Sequence, residues 1–235
     1  MTSVLVTYGT GEGQTAKVAE CIGSVLSDRG FDVTTLHASD ATDVAVDEFD
    51  GILIGASIND GEHQPEVLAF VERHGQTLTT RPSGFFQLSL ASAFSFRWAS
   101  EGAMDYVEEL VEATDWRPNR VGLFAGALKY TQYDRKTRWL FRLAALVLGL
   151  GTDTSRDYEY TDWDEVERFA VEFGAFVESE GERDALEEES QFVDSGRDGL
   201  RVAALLALVL GVAGVACWTV RGRAAEEEMA TKHAN

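Results

Sequence analysis

Over the first 180 residues, short apolar runs alternate with stretches whose apolar positions recur every three or four residues. The runs Ser3–Thr7, Phe31–Leu36, Gly51–Ser57, Gly84–Leu90 and Val121–Ala125 predict strands. Their near-continuous apolar character suits burial on both faces. Helical spacing predicts Gln14–Asp28, Pro65–Gln76, Glu101–Ala113 and Asp164–Glu178. In the last of these, Val166, Phe169, Ala170, Phe173 and Val177 share one face, and Thr161-Asp162-Trp163-Asp164 supplies N-cap candidates. Strand–helix alternation of this kind predicts a parallel sheet covered on both faces. A single doubly wound domain over residues 1–179 follows, with ligands outside the carboxyl ends of the strands.

The pattern then changes. Residues 180–198 carry Glu180, Glu182, Asp184, Glu187, Glu188, Glu189, Asp194 and Asp198, and read as a solvated acidic linker. Val202 to Val220 contains no charge, and Leu200 extends the apolar character, giving an expected span over residues 200–220 interrupted only by Arg201. Such a run can cross a hydrocarbon core of about 30 Å. The other reading, a buried core helix, fits poorly with a segment that follows an acidic linker outside the strand–helix pattern. We therefore expect a single-pass transmembrane helix and a polar tail over residues 221–235. Arg197 and Arg201 before the span nearly balance Arg221 and Arg223 after it, so charge alone does not orient it. The chain opens directly on a strand rather than a signal peptide, so we expect a cytoplasmic N-terminal domain at the cell membrane and a short exterior tail.

Charge narrows the partners. Forty acidic and 20 basic residues give a net charge of −20, and only four residues are lysine. Nucleic acid is disfavoured as a partner, because its binding needs a positive field. The same surface suits high salt, where repulsion is screened within about 3 Å at 1 M. Two cysteines, Cys21 and Cys217, form neither a disulfide framework nor a metal-ligand spacing.

The first loop carries the clearest chemistry. Val4-Leu5-Val6-Thr7 runs into Tyr8-Gly9-Thr10-Gly11-Glu12-Gly13-Gln14-Thr15 and then a helix start. Glycines let backbone N–H groups converge, threonines add hydroxyl donors, and the helix N-terminus adds partial positive charge. No Gly-Lys-Ser/Thr follows, and the G-x-G-x-G spacing is not the dinucleotide fingerprint. The loop suits a terminal monoester phosphate such as that of FMN. A ligand-free glycine-rich turn has the same local pattern. Two further loops fall at the same sheet edge: Ser57-Ile58-Asn59-Asp60-Gly61, and Ser89-Leu90-Ala91-Ser92. A phosphorylated response regulator shares this topology but needs an acid at the end of the third strand, where Ala56-Ser57 stands.

A second unusual stretch lies at 129–150. Lys129, Arg135, Lys136, Arg138 and Arg142 accompany one acid, Asp134, and Leu143 to Leu150 is apolar. With Trp139 it reads as a helix lying on a membrane surface or as a lip over a pocket for an apolar anionic substrate. An ordinary sheet-covering helix with a solvated basic end is the third reading.

Together these residues resemble the flavodoxin-type, menaquinone-dependent protoporphyrinogen IX dehydrogenase family, over about residues 3–176. The resemblance is carried by Thr10-x-x-Gly13-Gln14-Thr15, Ile54-Gly55-Ala56-Ser57-Ile58 with Gly61, and Trp116-Arg117-Pro118. Ala125-Gly126-Ala127-Leu128 with Tyr130, Gly151-x-Asp153-Thr154, and Tyr160-Thr161-Asp162-Trp163 complete it. It implies a flavodoxin-like five-stranded parallel sheet in the order 2-1-3-4-5. It also implies an FMN enzyme that oxidises a porphyrinogen and reduces a membrane quinone. The family's phosphate contacts fall on Thr10, Gly11, Glu12, Gly13, Gln14 and Thr15. Its ring-side contacts fall on Ile58, Asn59 and Gly61 and on Ser89, Leu90, Ala91 and Ser92. The family's insert corresponds to residues 129–150, with Lys129, Arg135, Arg138, Trp139 and Arg142 facing substrate or lipid.

Asn59-Asp60 departs from the family's usual Arg-Tyr pair, and the terminal apolar span is an addition. His63, beside the expected ring site, is the one acid–base candidate, read as a surface-loop residue. Three functions stay open: a membrane-tethered porphyrinogen–quinone oxidoreductase, an electron carrier or NAD(P)H:quinone reductase, and an FMN-free membrane-bound interaction module.

Overall fold

The computed structural model describes residues 1–59, 61–90, 92, 97–183 and 185–186. Residues Met1–Gly181 form one compact unit. Five parallel strands build its sheet: β1 (Ser3–Tyr8), β2 (Asp32–His37), β3 (Gly51–Ser57), β4 (Ser83–Ser89) and β5 (Arg120–Ala125). Their order is β2-β1-β3-β4-β5, as the resemblance implies. Helices α1 (Gln14–Asp28), α2 (Pro65–Thr80) and α3 (Arg97–Thr114) connect them. Helix α4 (Arg135–Leu148) follows β5, and a last helix, α5, covers residues 163–183.

The strand period of two sorts side chains between two cores. Val4, Val6, Leu53, Phe86, Leu88 and Phe124 point to the face covered by α1 and α5, where Val18, Ile22, Phe169 and Phe173 meet them. Leu5, Ile52, Ile54 and Phe85 point to the opposite face, against Val67, Phe70, Val107 and Leu110. This two-sided burial explains why the central strands read as continuous apolar runs. Strand β2 is different. It sits at the sheet edge, and Asp32, Thr34 and Thr35 are exposed, so the expectation of burial on both faces fails there.

One further expectation changes. Residues 180–183 continue α5, so the acidic stretch begins as helix. Glutamate and arginine are good helix formers, and polarity alone does not end a helix. Apart from residues 185–186, the rest of the stretch, together with the apolar span at 202–220 and the tail, lies outside the described residues. Among the described residues no helix is long and apolar enough to cross a membrane.

The insert forms a small annex of its own. Strands β6 (Ala127–Leu128) and β7 (Tyr158–Glu159) pair antiparallel. Tyr130 is fully buried between them and α4, and its hydroxyl donates to the Gly151 carbonyl at 2.9 Å. Gly151 N–H in turn donates to the Tyr160 hydroxyl at 2.9 Å. Asp134 caps α4 by accepting from Thr137 N–H at 2.7 Å. Helix α4 packs on this aromatic cluster and contributes nothing to either sheet core, so it is not a sheet-covering helix.

Candidate functional site

Parallel strands end together, and at the β1/β3 switch point their loops diverge and leave a crevice. Here the crevice is an open cavity of about 250 Å³. Thr10, Gly11, Glu12, Gln14 and Thr15 line one part of it, from the β1–α1 loop. Ser57, Ile58 and Asn59 line a second part, and Leu88, Ser89 and Leu90 a third. The structure thus brings together the three loops read from the sequence.

The first loop is shaped for an anion. Gly13 takes φ 84° at the N-cap of α1, a left-handed conformation that favours glycine, and no side chain caps the helix. Gly13 N–H donates to Thr10 Oγ1 at 2.9 Å, which folds the loop over the helix start. Thr15 Oγ1 and Gln14 Oε1 are buried with no protein partner. An unsatisfied buried hydroxyl costs stability unless a ligand completes it. Gln14 Nε2 is already engaged, donating to Thr161 Oγ1 at 3.0 Å. Thr15, with the first N–H groups of α1, therefore fits a phosphate monoester.

Glu12 turns its side chain away from that role. Its Oε2 accepts from the Tyr133 hydroxyl at 3.0 Å, and a carboxylate cannot donate to phosphate. Burial pushes the Glu12 carboxyl up, against the Tyr133 hydrogen bond and the nearby Lys129 charge. A raised carboxyl takes up a proton more readily in the folded state. Its contribution to stability is full below the ordinary value and lost as pH rises through the folded one. Glu12→Gln is therefore expected to raise the melting temperature at pH 7 and to have no such advantage near pH 4, as thermal unfolding across pH will show. The same substitution removes a negative charge from the anion loop.

The second loop is tight. Asn59 and Glu62 exchange backbone hydrogen bonds, at 3.0 Å each, and Gly61 takes φ 84° between them. Ile58 N–H donates to the Leu88 carbonyl at 2.9 Å. In the third loop, Ser89 Oγ lies 2.8 Å from Ser92 Oγ and accepts from Ser92 N–H at 3.1 Å. Ser92 N–H is thus used inside the loop. Ala91 lies outside the described residues.

His63 is not a surface-loop residue. It is 8% exposed, edge-on to the rings of Phe85 and Tyr106, and its Nε2 lies 3.2 Å from Gln87 Oε1. Gln87 Nε2 donates to the Ala103 carbonyl at 2.9 Å, so Gln87 Oε1 is left to accept from the imidazole. Burial lowers the His63 pKa, with the Gln87 hydrogen bond opposing. It does not line the cavity. The sequence reading missed this placement because nothing local shows that α3 and β4 close over the loop.

The reading also missed Tyr106, Tyr133 and Phe141 as cavity residues. Tyr133 and Phe141 stack at 5.0 Å with their planes 26° apart, forming a wall supplied by the insert. Position in the insert is the one signal that could have found Tyr133 and Phe141, and Tyr106 on α3 carried none. Of the basic candidates, Arg138 faces inward. Its guanidinium donates to the Tyr133 carbonyl at 2.9 Å, and its Nε is buried without a partner. Lys129 is half-buried, whereas Arg135, Trp139 and Arg142 are exposed.

Comparison with known proteins agrees with this geometry. The flavodoxin domain family matches residues 5–155. The chain is 29% identical over 168 residues to protoporphyrinogen IX dehydrogenase (quinone) of Escherichia coli K12, across 72% of this chain and 92% of that protein. It is 31% identical over 173 residues to the Leishmania major protein of the same name, across 73% and 74%. It also aligns with oxidised flavodoxin 1 of Bacillus cereus at 15% identity and TM-score 0.46, over 73% and 97% of the two chains. The domain match spans more than half of the sequence and includes all three cavity loops. The chain therefore belongs to the flavodoxin domain family and is an FMN-dependent oxidoreductase.

Proposed function

We propose that this oxidoreductase takes electrons from a porphyrinogen and passes them to a membrane quinone, from a cytoplasmic flavodoxin domain tethered by residues 202–220. The observation that carries the reading is the insert wall. Tyr133 and Phe141 offer an aromatic surface beside the phosphate loop, against which the pyrrole rings of a large, mostly apolar macrocyclic donor can pack. Lys129, half-buried next to this wall, would pair with a carboxylate of the donor. The two named relatives support the same donor and acceptor.

FMN supplies two-electron redox chemistry when bound. The chain's own residues would hold and shield it. Thr15 and the start of α1 would bind the phosphate, and Ile58, Asn59 and Leu90 would enclose the ring. Gln87 fixes His63 beneath the loop, outside the lining of the cavity. The FMN-free interaction module is set aside by family membership.

Anaerobic mixing tests the donor. Protoporphyrinogen IX is expected to bleach the flavin absorbance of the purified full-length protein, and NADH is not. Bleaching by NADH alone would establish the NAD(P)H:quinone reductase instead. The tether is tested by extraction. The full chain should resist carbonate washing of membranes, whereas a chain truncated after Glu180 should come off in salt.

A further inference from the structure

Helix α4 turns an apolar face to solvent. At about 100° per residue, Phe141 and Ala145 fall on one side and pack against the tyrosine annex. The opposite side carries Trp139, Leu140, Leu143, Leu146 and Val147, with exposures of 62, 63, 40, 69 and 85%. Their spacing is i, i+1, i+4, i+7, i+8, one continuous stripe. The solvent face of a surface helix ordinarily carries charge. A contiguous exposed apolar stripe marks an interaction surface.

Charge identifies the occupant. Helix α4 contains no acid, and Arg135 and Lys136 stand at one end of the stripe and Arg142 at its edge, in a chain of net charge −20. A second copy pairing stripe to stripe would bring these cations against each other if parallel and leave them without a counter-charge if antiparallel, since α4 contains no acid. An anionic bilayer satisfies both parts, with hydrocarbon for the stripe and headgroup phosphates for the flanking cations.

We propose that α4 lies in the headgroup–acyl boundary of an anionic membrane, stripe inward, as a contact separate from residues 202–220. The seating stands on α4 alone. Its use rests on the function proposed above: Phe141 lines the cavity from the helix's other side, so a lipid-soluble acceptor reaches the cavity along α4.

The full-length chain with Trp218→Phe, reconstituted in phosphatidylcholine–phosphatidylglycerol vesicles with brominated acyl chains, tests this. Tryptophan quenching is expected, and a component of it should disappear on adding Trp139→Phe. Arg135→Glu/Lys136→Glu/Arg142→Glu, whose fold is checked by bound FMN absorbance, should lose the same component. Equal quenching with and without Trp139 would overturn the proposal. So would a dimer in sedimentation that Leu143→Glu/Val147→Glu converts to monomer, since the stripe would then be a protein interface. Neither readout involves the electron donor, so failure here is distinct from failure of the proposed reaction.

Discussion

Replacing Thr15 with valine is expected to raise the dissociation constant for FMN by about 10- to 100-fold. Thr15 is 1% exposed, and its Oγ1 has no protein partner. A hydrogen bond to a charged group contributes about 1.5–3 kcal/mol, which is that range of affinity. Valine has nearly the same shape, so the packing of α1 on the sheet should survive. The apo-protein should be as stable as the parent or more so, because the substitution removes an unsatisfied buried hydroxyl. Titration of apo-protein by flavin fluorescence, beside thermal unfolding, separates the two effects. An unchanged affinity would mean that the phosphate lies elsewhere. Thr10→Val should behave differently, because Thr10 Oγ1 accepts from Gly13 N–H and holds the loop itself.

Trp116→Ala is expected to cost about 3–5 kcal/mol of stability. The indole is 1% exposed, meets Phe85 edge-on at 6.2 Å, and donates from Nε1 to Ser83 Oγ at 3.1 Å. Ser83 Oγ in turn donates a hydrogen bond to the Leu78 carbonyl at 2.8 Å, so the indole completes a short buried chain joining β4 to α2 and the α3–β5 connection. Loss of the ring leaves a cavity and an unfilled acceptor together. For a domain of this size the melting temperature should fall by about 10 °C. Trp116 does not line the FMN cavity, so affinity measured well below the transition should stay near the parent value. A matching loss of affinity would show that the α2–α3 core shapes the site.

These two residues show how differently the sequence speaks about site and core. The first loop was legible because its chemistry is local: glycines, hydroxyls and a helix start fall within eight residues. Helix α1 begins and ends where the periodicity predicts, at Gln14 and Asp28. Trp116 was legible only as part of a family motif. Its role in holding β4 to its neighbours comes from contacts with Ser83 and Phe85, some 30 residues away.

The strands, the helices, the anion loop and the acidic excess follow from the sequence, because period, capping and charge act over one or two turns of chain. The edge exposure of β2, the burial of His63 and the aromatic wall of Tyr133 and Phe141 were decided by tertiary structure. So was the outward stripe of α4. The sequence shows that α4 is apolar on more than one side. Only the packing of Phe141 and Ala145 on the tyrosine annex decides which side is left facing out. Burial is a property of pairs of elements, and a one-dimensional pattern cannot say which partner an apolar face will meet.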